Sequence, residues 1–94
     1  MNQLFKNWLD LGWKLGGSEK LSCPSCGNLA VDFQYVGDTA TRIGYLDIWC
    51  EECRQGIHIS RVQIPGEATM LDIHGNPSIV ISRIPKFTWV LPKS

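Results

Sequence analysis

Apolar residues in the first fifteen positions recur at helical spacing and form two adjoining stripes. The spacing predicts an amphipathic helix over residues 2–15, with Asn2 as its N-cap and Gly16-Gly17 as its stop. The first stripe consists of Leu4, Trp8, Leu11 and Leu15, and the second of Phe5, Leu9 and Trp13. Together they cover about half of the helix circumference, whereas a helix on a small sheet needs a stripe of a little over ~100°.

The second stripe has two interpretations. Strands or a loop from the C-terminal part can cover it, which is the usual fate of apolar residues. Alternatively, Phe5, Leu9 and Trp13 contact another protein or a second copy of the chain, because tryptophan is enriched at interface centres. A helix lying on a membrane surface agrees less well with the sequence, since its polar face has only two lysines and an aspartate.

Alternation of apolar and polar residues predicts three strands in the middle of the chain, at 29–36, 42–50 and 57–64. Residues 37–41 read as a hairpin loop between the first two strands. The third strand changes phase midway, which predicts a bulge near Ser60-Arg61. Pro65-Gly66 ends it.

The C-terminal part, 66–94, is expected to add further strands. Residues 68–73 predict a short strand and 74–77 a turn. The β-branched run Ile79-Val80-Ile81 predicts a buried strand, and residues 87–91 alternate as a last edge strand. The expected fold class is mainly β, a small α+β domain spanning 1–94, with an N-terminal helix and additional C-terminal strands beside an antiparallel sheet.

Composition narrows the class of protein. A 94-residue chain with 44% hydrophobic residues is typical of one globular domain, not of a disordered segment. Nine basic and nine acidic residues give a formal net charge of zero, which argues against strong non-specific nucleic-acid binding. No apolar run approaches the ~18 residues that cross a bilayer, so we expect no membrane partner.

All four cysteines occur in two C-x-x-C pairs, Cys23-Pro24-Ser25-Cys26 and Cys50-Glu51-Glu52-Cys53. Each pair supplies two sulfurs on one turn, and two such turns complete the tetrahedral sulfur shell that Zn²⁺ accepts. Two disulfides in a secreted protein are the alternative, but polar residues interrupt the apolar N-terminus where a signal peptide needs an unbroken core. We therefore expect a metal site in a reducing compartment, the cytoplasm.

Residues 21–65 resemble a zinc ribbon, in which two C-x-x-C hooks flank a β-hairpin and a third strand follows. The resemblance implies three antiparallel strands around one structural Zn²⁺ held by Cys23, Cys26, Cys50 and Cys53. A complete sulfur shell leaves the metal no open position for water or substrate, so we expect no enzymatic activity. Gly27 suits the left-handed turn that follows such a hook, and Gly56, three residues beyond Cys53, offers a place for the chain to turn after the second.

Two other kinds of cysteine chemistry fit less well. Rubredoxins hold iron on similar hooks, but only the first hook here has their C-P-x-C-G form, which leaves iron as a minor alternative. The sequence Trp49-Cys50-Glu51-Glu52-Cys53 resembles a thiol–disulfide oxidoreductase motif without its βαβ context. His58 and His74 are not needed as ligands, and we expect them to be surface or hydrogen-bonding residues.

The leading functional hypothesis is a non-enzymatic protein-interaction module, such as an adaptor or a protein that neutralises a toxin. The alternative is a nucleic-acid-binding regulator of zinc-ribbon type. It depends on basic and aromatic residues of the strand faces, namely Arg42, Arg54, Arg61, Arg83, Lys86, Tyr45, Trp49 and Trp89. The same segment contains Asp32, Asp47, Glu51 and Glu52, which favours a solvated face of mixed charge.

Overall fold

The computed structural model describes residues 3–15 and 20–92. The elements in chain order are helix α1 (Gln3–Leu11), a 3-10 turn (Gly12–Lys14), strands β1 (Val31–Gly37), β2 (Ile43–Cys50), β3 (Gln55–Gln63) and β4 (Met70–Asp72), helix α2 (Pro77–Arg83) and strand β5 (Thr88–Trp89). Strand residues outnumber helical ones, so the predicted fold class, a small α+β protein with an N-terminal helix, is confirmed.

The strands form one sheet in the order β4-β1-β2-β3-β5. Short connections join β1 to β2 and β2 to β3, and these pairs are antiparallel because a parallel crossover needs a dozen or more residues. The outer strands instead pair in parallel, with Tyr35 of β1 opposite Met70 of β4 and Gln55 of β3 opposite Thr88 of β5. The sheet is therefore mixed, and β5 lies at its edge as the sequence predicts.

Helix α1 is shorter than the predicted helix over 2–15, because its last turn tightens into the 3-10 turn. Trp8 and Leu11 are buried, so the first apolar stripe faces the interior. The predicted N-cap Asn2 and the predicted stop at Gly16-Gly17 lie outside the described residues.

The prediction of a buried strand at residues 79–81 is wrong, since these residues belong to α2. The Asn76 side chain caps this helix by accepting a hydrogen bond of 3.0 Å from the Ser78 backbone, and Pro77 occupies the first turn. Proline there is pre-organised for a helix, and the combined cap outweighs the strand preference of the isoleucines. The run is also not buried, since Ile81 is 74% exposed.

The chain divides into two compact units that each combine distant stretches. The first contains the described residues of Met1–Asp32, Ile48–Ile57 and Lys86–Ser94, and the second contains Phe33–Asp47 and His58–Pro85. The buried core of the first consists of Trp8, Leu11, Cys23, Ile48, Trp49, Cys50 and Ile57, and that of the second of Tyr35, Val36, Leu46 and Ile64. The single domain over 1–94, with segments 2–15, 21–65 and 66–94, stays a prediction.

Strand β3 contains one residue in the left-handed region, Arg61 with φ +56°. A residue with positive φ inside a strand is compatible with one form of β-bulge. The bulge at Ser60-Arg61 itself stays a prediction.

Candidate metal centre

The first cysteine pair lies on a turn closed by backbone hydrogen bonds. Gly27 N–H donates to the Cys23 carbonyl at 2.8 Å, and Cys23 N–H donates to the Asn28 carbonyl at 2.8 Å. Gly27 has φ +82°, the conformation the sequence predicts there. The N–H groups of Ser25 and Cys26 point at Cys23 Sγ, at 3.3 and 3.4 Å, where they stabilise a negative charge on the sulfur.

The second pair follows directly from the end of β2. Arg54 N–H donates to the Cys50 carbonyl at 2.9 Å, and Glu51 N–H donates to the Ala30 carbonyl at 2.9 Å. Arg54 adopts φ +57° at the place that Gly27 occupies in the first turn. Its guanidinium Nε donates to the Glu51 carbonyl at 3.1 Å. The left-handed residue after the second hook is thus Arg54, and the prediction that the chain turns at Gly56 is wrong, since Gly56 lies within β3.

The four predicted ligands come together at one point. Their sulfur atoms all lie within 4.8 Å of one another. The pairs Cys23–Cys53 and Cys26–Cys50 are each 3.6 Å apart between sulfurs. A tetrahedral ion with Zn–S near ~2.3 Å places its sulfurs about 3.8 Å apart. These separations are far longer than a disulfide bond of ~2.05 Å, so the cluster has the dimensions of a metal site and not of two disulfides.

The environments of the thiols differ. Hydrogen bonding by the Asn28 backbone lowers the pKa of exposed Cys26 to about 7, and the Asn28 side chain adds a contact of 3.3 Å to the same sulfur. Burial raises the pKa of Cys23, and it raises the pKa of Cys53 to about 12. Four thiolates so close together repel one another, and a bound divalent cation supplies the charge that lets all four ionise.

Each of the two cysteine turns accepts a hydrogen bond from the indole of a buried tryptophan. Trp8 of α1 donates from its indole Nε1 to Ser25 Oγ at 3.2 Å. Trp49 of β2 donates from Nε1 to Glu51 Oε1 at 2.8 Å and stacks on Phe87, with ring centroids 6.0 Å apart. Sequence reasoning missed Ser25 and Glu51 as acceptors. The only signal in the sequence is that each is a polar residue between the two cysteines of a hook.

The proposed partner stripe lies on the less buried side of α1. Trp13 is 90% exposed, and Phe5 and Leu9 are partly exposed. The interpretation in which C-terminal residues cover this stripe does not apply to Trp13 within the described part of the chain. That these three residues bind a partner stays a prediction.

Both histidines form hydrogen bonds away from the cysteines. His58 Nδ1 lies 2.6 Å from Asp47 Oδ1, and the His58 ring lies against Tyr45 with centroids 4.9 Å apart. His74 Nε2 lies 3.0 Å from Asp38 Oδ2. Burial raises the pKa of Asp47, and the hydrogen bond from His58 partly opposes that shift. The expectation that neither histidine is needed as a ligand agrees with this geometry.

Several residues of the nucleic-acid hypothesis have structural roles. Arg42 donates to the carbonyls of Pro65 and Ala68. Arg83 donates to Gln34 Oε1 and to the Phe33 carbonyl, both at 3.0 Å, and so fastens α2 within its unit. Trp49 is fully buried and presents no ring to a base. Arg42 and Arg83 are therefore held by contacts within their own unit, and the nucleic-acid hypothesis stays a prediction.

No protein-family model matches this chain, and no curated protein or solved structure matches it either. None of the helices in the described part of the chain has the length and apolar character of a membrane span.

Proposed function

We propose that Cys23, Cys26, Cys50 and Cys53 bind one Zn²⁺, and that the surrounding turns and strands form a zinc ribbon. The sulfur separations of 3.6 Å support a tetrahedral ion of this size. Zn²⁺ supplies a cross-link between the two turns when bound, and its filled shell leaves no position for a substrate. We infer that the metal stabilises the fold and takes no part in catalysis.

Metal analysis of the purified protein tests this assignment. We expect about one zinc per chain, and less than a tenth of that for Cys26→Ser, because a shell of three thiolates loses the fourth bond. Ser60→Ala is a matched control, since Ser60 is exposed on β3 and belongs to the second compact unit, whereas the four cysteines belong to the first. A red preparation that contains iron instead of zinc would contradict the zinc assignment.

We further propose that the protein is an interaction module that binds another protein through Phe5, Leu9 and Trp13. The single observation that carries this proposal is Trp13, which is 90% exposed in the 3-10 turn that continues α1, whereas Trp8 and Leu11 of α1 are buried. Tryptophan at such a position offers a large apolar area at little cost in conformational entropy. An adaptor and a toxin-neutralising protein both fit this description.

The test is affinity capture from the native cell with the zinc-loaded protein as bait, followed by mass spectrometry. We expect Trp13→Ser to lose the captured protein and Leu29→Ser to retain it, since Leu29 is also an exposed apolar residue of the same unit. Sedimentation measures self-association of both variants. Equal capture by the two variants, or salt-sensitive binding to random DNA or RNA without any captured protein, would overturn the proposal.

A further inference from the structure

We propose that metal binding controls whether helix α1 stays packed against the first cysteine turn, and that Ser25 connects the metal site to the helix. Loss of the metal would release α1 and with it the stripe of Phe5, Leu9 and Trp13. This inference rests on the proposed function, because it assigns a regulation to the same stripe.

The connection is a chain of two hydrogen bonds through one residue. Ser25 N–H donates to Cys23 Sγ at 3.3 Å, and Ser25 Oγ accepts from the Trp8 indole at 3.2 Å. The backbone of Ser25 is therefore fixed by a ligand sulfur, while its side chain fixes the most buried residue of α1. Both bonds lie within the first compact unit.

Helix α1 depends on its contact with the first cysteine turn because it is too short to be stable alone. It has nine residues, and isolated helices below ~12–15 residues are marginal in water. Only Trp8 and Leu11 are buried in the helix, with Trp8 fully so. A buried indole N–H that loses its acceptor is destabilising, and this loss acts on a helix with two buried side chains.

The metal determines where Ser25 lies. A bound ion makes Cys23 and Cys26 part of one chelate, and this fixes the two residues between them. Without the ion, no bond joins the four sulfurs, and the first turn keeps only its own backbone hydrogen bonds. The Ser25 hydroxyl is then no longer fixed at the Trp8 indole, and α1 loses the hydrogen bond that ties Trp8 to the first turn.

Hydrogen exchange of the zinc-loaded full chain, read by mass spectrometry and by the indole N–H resonances in NMR, tests the proposal. Ser25→Ala keeps all four cysteines and should retain one zinc per chain. We expect amides of α1 to exchange about tenfold faster in this variant, because an unsatisfied buried donor favours local opening. Ser25→Thr retains a hydroxyl and should restore protection, and Ser60→Ala should match the wild type.

Chelation supplies the second measurement. We expect the Trp8 indole signal and the α1 amides to lose protection together when zinc is removed. Unchanged α1 protection after chelation, or equal exchange in Ser25→Ala and Ser60→Ala, would overturn the inference. These readouts need no partner, so a released helix without any captured protein would contradict only the proposed function. Capture that is equally strong with and without zinc would contradict only the metal control.

Discussion

Trp8 and Trp13 provide a sharp test, because they are the same residue type on neighbouring turns with opposite exposure. Trp8 is fully buried and Trp13 is 90% exposed. Burial of a tryptophan removes roughly 150–250 Å² from water, which at ~25 cal/mol per Å² corresponds to about 4–6 kcal/mol. The denatured chain already hides part of this surface, so the figure is an upper estimate.

We expect Trp8→Ala to lower the free energy of unfolding by about 3–5 kcal/mol, a cost typical for removal of a buried aromatic side chain. A chain of 94 residues has a total stability of about 5–14 kcal/mol at ~0.05–0.15 kcal/mol per residue. The change therefore removes a large part of the stability. Trp13→Ala, the matched control, should change it by less than about 0.5 kcal/mol.

Urea unfolding of the zinc-saturated proteins, followed by far-UV circular dichroism, measures both variants. Trp8→Phe separates two contributions, since it keeps much of the apolar contact but removes the hydrogen bond to Ser25. We expect it to cost about 1–2 kcal/mol. A cost below about 1 kcal/mol for Trp8→Ala, or equal costs for the two alanine variants, would refute the placement of α1.

Three further predictions concern the metal site and a buried carboxyl. Gly27→Ala should lower stability by about 1 kcal/mol and Arg54→Gly should lower it less or raise it, because both positions have positive φ. A larger loss of stability for Arg54→Gly than for Gly27→Ala in zinc-saturated thermal melts would contradict this. Zinc affinity should fall with decreasing pH, since bound thiols must lose protons, and competition with a chromophoric chelator measures the slope; a flat profile would argue against thiolate ligands. Burial raises the pKa of Asp47 in the folded state. The Asp47 carboxyl therefore contributes most to stability at pH values below its unfolded-state pKa, and this contribution declines as the pH rises through the raised folded-state pKa. Asp47→Asn should therefore make the free energy of unfolding less dependent on pH in that window. Identical pH profiles of stability for the variant and the wild type would show that the pKa of Asp47 is not raised.

The metal ligands and the central strands could be predicted from the sequence because their signals are local. Two sulfurs three positions apart on a turn define half of a tetrahedral site whatever surrounds them. Alternation with a period of two specifies a strand with one buried face. The amphipathic pattern of residues 2–15 likewise indicated a helix, although not its 3-10 ending.

Helix α2 shows where local signals compete. The run Ile79-Val80-Ile81 favours a strand, while Asn76 and Pro77 favour the start of a helix. Both signals are present in the sequence, and residues 79–81 form a helix. Arg83 of this helix donates hydrogen bonds to the Gln34 side chain and to the Phe33 carbonyl. Those partners lie 49 and 50 positions away along the chain, so no short window contains the interaction.

The sequence by itself determined the four cysteines of the candidate metal site, the antiparallel core of the sheet and the presence of an amphipathic N-terminal helix. Only the tertiary structure decided that β4 and β5 pair in parallel, that Trp8 is buried while Trp13 is exposed, and that Asp47 meets His58. Spacing and periodicity act over a few residues, whereas strand direction, burial and side-chain partners depend on contacts between distant parts of the chain. The link from Trp8 through Ser25 to Cys23 is of the second kind, and it exists only because folding places α1 against the first cysteine turn.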